Sequence, residues 1–130
     1  VGDGNTGEIQ FNAQPTPSAV PAGAATLTVA QLATKIILGS PGSSAAAYTL
    51  PTAALMDAAF PSMPVNSAFD FNVINVDGSS SGVITMTAGT GWTIGTSGSL
   101  GLMTIAATAG TSAAFRARKT GDASWSLYRM

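Results

Sequence analysis

The sequence predicts an all-β fold: an antiparallel β-sandwich, jelly-roll-like or barrel-like, with one short helix and an extended N-terminal arm. Three observations predict it. Short apolar–polar alternations recur through the second half, broken by Gly-, Ser- and Asp-containing turns at intervals of roughly 8–12 residues, the spacing of sandwich and barrel folds. Only one segment shows a convincing helical period. The first 25 residues carry proline and glycine in place of any period. A chain of 130 residues is one domain of ordinary size, able to bury about two-thirds of its unfolded surface. The division expected is an arm over residues 1–25 and a β-body over residues 26–130.

Within the arm, Gly2, Gly4 and Gly7 are followed by Pro15, Pro17 and Pro21. Proline at this density disfavours helix and central strand alike. One patch, Glu8 to Asn12, places Ile9 and Phe11 on a single face by strand alternation. That apolar pair suits docking onto a neighbour; a disordered terminus is the plain alternative.

The body opens with short strand candidates at Leu27 and Val29, Ile36 to Leu38, and Tyr48 to Leu50. Ala30 to Ala33 are helix formers that also permit a helical turn. Thr52 to Phe60 is the predicted helix: Pro51 precedes it, Thr52 can cap it, and Leu55, Met56, Ala59 and Phe60 form one apolar stripe before Pro61 and Pro64 stop it. From Ala68 to Val76, Phe69, Phe71 and Val73 alternate, after which Ile74 and Val76 take the opposite phase. That implies a bulge or a strand covered on both faces. A turn spans Asp77 to Gly82. Strands are expected over Val83–Ala88, Trp92–Ile94, Leu100–Ala107, Ala113–Thr120 and Ala123–Met130, the last two joined as a hairpin at Gly121-Asp122.

Charged residues make up 8% of the chain, against about 25% in an average globular protein. The surface is therefore largely Ser, Thr, Asn, Gly and Ala, which is easily desolvated and suits life against other protein; a merely neutral surface is the alternative. The net charge of −1 supplies no basic field for nucleic acid or anionic lipid. No apolar run approaches the ~18 residues of a transmembrane helix.

The chain contains neither cysteine nor histidine. This removes disulfides, thiolate nucleophiles, the commonest general base and the commonest transition-metal ligand. A Ser or Thr nucleophile has no histidine to activate it. Gly2 to Gly7 satisfies G-x-G-x-x-G, but no strand delivers the motif and a proline-rich arm follows, so no helix N-terminus meets a pyrophosphate. Asp3, Asn5 and Glu8 are too few oxygens for calcium, which takes six to eight or so. Among other carboxylates, Asp77 and Asp122 sit in turns, Asp57 lies on the polar side of the helix, and Asp70 suits a salt bridge. The expectation is a chain that is not an enzyme and has no cofactor or metal.

Arg116, Arg118 and Lys119 are the one positive cluster, with Arg116 and Arg118 on the same strand face. Beside Trp125 and Tyr128 they would mimic a single-strand nucleic-acid platform. Pairing with Asp70, or with a carboxylate of a neighbouring subunit, is the reading the negative charge favours. Trp92 and Trp125 are expected as core or interface anchors. The candidate interface residues are thus Ile9, Phe11, Arg116, Arg118 and Trp125.

Several stretches carry a resemblance. Asp3-Gly4-Asn5-Thr6-Gly7-Glu8-Ile9-Gln10-Phe11-Asn12 resembles a short motif of phage tail-fibre proteins. Tyr48 to Pro51, Ala68 to Asn75, Thr87 to Ile94, Phe115 to Gly121 and the closing Tyr128-Arg129 resemble a β-module of tailed-bacteriophage virion proteins. The resemblance implies a structural virion component, commonly trimeric: a head decoration (cement) protein on the outer surface of the capsid, bound to the major capsid protein. The alternative within the class is a tail-fibre or adhesin domain that binds a host surface glycan. Neither role implies a nucleic-acid or membrane partner.

Overall fold

A computed structural model describes residues 11, 13–21, 23–77, 82–95, 102–108 and 110–130. Local chemistry places the two helices. Thr28 caps α1 (Val29–Ala33) by accepting from the Gln31 backbone N–H, while the Gln31 side chain accepts from the Thr28 N–H, a complete capping box. Thr52 caps α2 (Ala53–Ala59) through the Leu55 N–H. The expected stripe on α2 is rotated: Ala53 and Met56 are the buried positions, whereas Leu55 is 56% exposed.

Among the described residues there are ten strands: β1 (Ser18–Val20), β2 (Ala25–Thr26), β3 (Ile36–Gly39), β4 (Ala46–Thr49), β5 (Ala68–Asn75), β6 (Ile84–Thr87), β7 (Trp92–Ile94), β8 (Thr104–Ile105), β9 (Thr111–Gly121) and β10 (Ser124–Arg129). They form a six-stranded sheet, ordered β1-β3-β5-β9-β10-β7, and a four-stranded sheet, ordered β2-β4-β6-β8. Among the described residues neither sheet closes into a barrel.

The structure is mostly β, with two short helices where one was expected, and both sheets mix parallel and antiparallel pairing. From β1 to β8 the chain alternates between the sheets, one strand in each. β1, β3 and β5 pair in parallel, as do β2, β4 and β6, so the first six strands wind as successive coils. A parallel connection needs a crossover long enough to return the chain to its starting end. Here a strand of the opposite sheet supplies it, helped by α1 between β2 and β3 and by α2 between β4 and β5. Antiparallel pairing enters with β6–β8, β5–β9 and the β9–β10 hairpin, and β7 closes the larger sheet parallel to β10.

Ser18 to Val20, expected within the arm, instead form β1 along β3 and bury Val20 to 2% exposure. Pro17 and Pro21 flank β1, which is an edge strand, where a missing N–H costs least. β5 has no bulge: its pairing with β3 and β9 runs in continuous register. The inward row is Phe69, Phe71, Val73 and Asn75, and Ile74 faces out, half-buried. Of the strand expected over Leu100–Ala107, Thr104 and Ile105 are in β8, while residues 100 and 101 lie outside the described residues. So do residues 78–81 of the Asp77–Gly82 turn.

One buried cluster joins both sheets: Ile37, Phe71, Val73, Phe115, Trp125 and Leu127 from the larger, Tyr48, Ile84, Met86 and Ile105 from the smaller. Phe71 and Phe115 stack at 5.6 Å, and Phe69 bridges Phe60, Phe71 and Trp125 at 6.0–6.2 Å.

Candidate functional site

Strand parity sets which side chains the outer face of the large sheet presents. With Phe115, Ala117 and Lys119 turned inward on β9, Arg116 and Arg118 turn outward, as expected. Register then puts Asp70 directly opposite Arg116. The two form a bidentate ion pair, Arg116 Nε donating to Asp70 Oδ1 at 2.6 Å and Nη2 to Oδ2 at 2.9 Å. The hydrogen bonds from Arg116 hold the Asp70 carboxyl below its ordinary range and raise the guanidinium in return.

Arg118 is held as firmly. It donates to Asn66 Oδ1 at 2.7 Å and to Tyr128 Oη at 3.0 Å, and its guanidinium carbon lies 5.7 Å from the Tyr128 ring centre. Asn66 reaches it from a left-handed backbone conformation, φ +74°. Arg129 donates to the carbonyls of Leu102 and Thr104, tying the end of β10 to β8. The cluster is thus consumed by the fold. A stacking platform for bases is not formed there, because Arg118 engages Tyr128 and Trp125 has no exposed surface.

Of the five candidate interface residues, Ile9 lies outside the described residues, as do Asp3, Asn5, Glu8 and the Gly2–Gly7 motif. Phe11 is 89% exposed. Trp125 is a core residue: fully buried, it presents nothing to a neighbour. The structure therefore brings Arg116 and Arg118 onto one face and separates Trp125 from them by the thickness of the sheet.

Two polar residues matter more than their sequence context suggests. Asp57, expected on a solvated helix side, accepts from the Ala123 N–H at 2.6 Å, from Trp125 Nε1 at 2.9 Å, and pairs with Lys119 Nζ at 3.4 Å. The Ala123 and Trp125 bonds pull its carboxyl below the ordinary range. No local signal marks this role, since its partners lie more than sixty residues away. Asn75, fully buried, donates to the carbonyls of Gly82 and Ala106 and accepts from the Asp77 N–H. A signal for Asn75 was present: it continues the inward row of Phe71 and Val73.

Several hollows open on the surface among the described residues. The largest, about 780 Å³, lies where the starts of α1 and α2 meet the ends of the small sheet; Leu27, Val29, Leu50 and Leu55 line it together with Thr26, Thr28, Thr49, Thr52 and Thr90. No charged side chain lines it. An apolar hole of about 250 Å³ lies between Ala33, Lys35, Phe60, Met63 and Phe69. Beside it, sharing Lys35 and Phe69, is a polar hollow of about 460 Å³ bordered by Asp70 and Arg116.

Among the described residues no group of three or more acidic side chains is placed to hold a metal ion. Among the described residues no helix is long and apolar enough to cross a membrane. Compared with known proteins, the chain matches no family, no curated sequence and no solved structure.

Proposed function

We propose that this chain is a non-enzymatic structural module of a tailed-phage virion, a capsid decoration (cement) protein that trimerises on the head and bridges copies of the major capsid protein. In this reading the two sheets are the layers of a sandwich whose outer faces serve as contact surfaces. One observation carries it. Most of the described charged side chains are engaged within the chain: Asp57 with Lys119, Asp70 with Arg116, Arg118 with Asn66 and Tyr128, Arg129 with two carbonyls. Apart from exposed Lys35 and Asp122, the described surface beyond these pairs is neutral: the threonine-lined groove, exposed Leu55, and the half-buried Ile36, Leu38 and Ile74 on the outer sheet face. Such a surface loses little when water leaves it. Each contact contributes roughly 25 cal/mol per Å² of apolar area buried, before association costs. Repetition over a lattice multiplies weak contacts into tight retention.

The alternative, a tail-fibre or adhesin domain binding a host glycan, has less support. Sugar sites commonly use an exposed aromatic face, and here Trp92 is 8% exposed and Trp125 not at all.

The test is location. Gold-labelled antibodies against the chain, applied to virions that carry it, should mark the head in a regular array. Label confined to fibres would favour the alternative, and unlabelled virions would overturn both.

A further inference from the structure

The geometry points to a knob-and-hole contact between two copies of this chain: Phe11 of one copy seats in the hole formed by Ala33, Lys35, Phe60, Met63 and Phe69 of the other. Phe11 is the most exposed large apolar side chain described, at 89%. The hole is its complement in chemistry and size. Phe60 and Phe69, with ring centres 6.0 Å apart, and Met63 supply apolar walls, and the stem of Lys35 supplies part of the rim. It is open to the surface and offers about 250 Å³, where an apolar cavity of about 150 Å³ already accommodates a benzene ring.

Position strengthens the match. Gln14 Nε2 donates to the Thr34 carbonyl at 2.7 Å, and Thr34 stands between Ala33 and Lys35 of the hole. Three residues of extended chain span at most about 10 Å, so Phe11 is tethered close to the rim. Yet the chain leaves the ring outside its own hole, and Pro15 and Pro17 stiffen the stretch that follows the tether. One molecule thus presents an unused knob and an unused hole at different points of its surface. Such a contact is exchanged reciprocally across a two-fold axis or runs head-to-tail, in which case it closes into a ring where the rotation between copies allows. The inference rests on the assembly reading for its premise that copies meet, but head labelling and self-association are separate measurements.

The experiment is sedimentation of the full chain over a range of concentrations. The wild type should self-associate. Phe11→Ala should weaken association by roughly 10- to 100-fold, the range expected for losing one buried aromatic. Ala33→Phe, which fills the hole from an exposed position, should weaken it similarly. Mixing the two variants should restore a single contact, since one keeps the hole and the other the knob. A monomeric wild type, a Phe11→Ala variant that assembles normally, or an Ala33→Phe variant that does so would overturn the proposal. Both residues are exposed, so unchanged circular dichroism is expected for each variant.

Discussion

Trp92 and Trp125 sit side by side on the parallel β7–β10 pairing, ring centres 5.7 Å apart, and their indole N–H groups leave the core in different directions. Trp92 donates to the Pro51 carbonyl at 2.6 Å, just ahead of α2, and Trp125 donates to Asp57 on α2 at 2.9 Å. The pair therefore fastens one helix to the last strand and to the edge strand together. A buried Trp needs such a partner, because its N–H is costly to strand in an apolar interior.

Truncating this anchor should be severe. Trp125→Ala should cost about 3–5 kcal/mol, the range for large aromatic truncations in cores. Trp125→Phe keeps most of the volume, so it should cost less while leaving Asp57 without its indole donor. Urea unfolding of both variants checks the order; equal costs would mean that the hydrogen bond, not packing, dominates.

Asn75 offers a sharper chemical test. Asn75→Ala strands the Gly82 and Ala106 carbonyls and should cost about 2–3 kcal/mol. Asn75→Asp preserves the shape but turns an oxygen towards an acceptor and should cost more at neutral pH than in acid. Denaturant midpoints at two pH values measure the difference.

Acid should weaken the fold through two aspartates. Asp57 and Asp70 both hold protons less tightly folded than unfolded, so the unfolded chain binds more protons at low pH. Their contribution is fully present above the unfolded value of about 3.9 and is lost as pH falls through the lower folded values. Between pH 5 and 2 or so, the double variant Asp57→Asn, Asp70→Asn should lose less stability than the wild type. Melting temperature against pH reads this directly. Most of the difference should come from Asp57, because the Asp70–Arg116 pair is about half exposed on both sides and is screened by solvent.

Tyr48 should behave in the opposite way. Its hydroxyl is buried with no hydrogen-bond partner, and burial raises its pKa, against the opposing pull of the Ser40 backbone. Removing an unsatisfied group releases its desolvation cost, so Tyr48→Phe should match the wild type or exceed it by up to about 1 kcal/mol. Thermal unfolding distinguishes this from a hidden bond, whose loss would lower stability.

Alternation and turn chemistry made much of the fold legible in the sequence. The β9–β10 hairpin, the capped start of α2 and the inward row of β5 all follow from local period and parity. These are features that neighbouring residues settle among themselves. Strand direction is different. Alternation states which side chains face the core, yet it is satisfied equally by a parallel or an antiparallel neighbour. Only the crossing of the chain between two sheets made the first six strands parallel, and only that winding brought Asp57 to Trp125 and Lys119. The rotation of α2 has the same origin: its stripe admitted more than one buried face, and the sheet edge selected Ala53 and Met56. The sequence by itself thus determined the mainly β character, the sparse charge and the lack of histidine and cysteine. Tertiary structure decided the pairing directions, the core position of Trp125 and the shape of the surface hollows, because each depends on segments that meet only after the chain has wound.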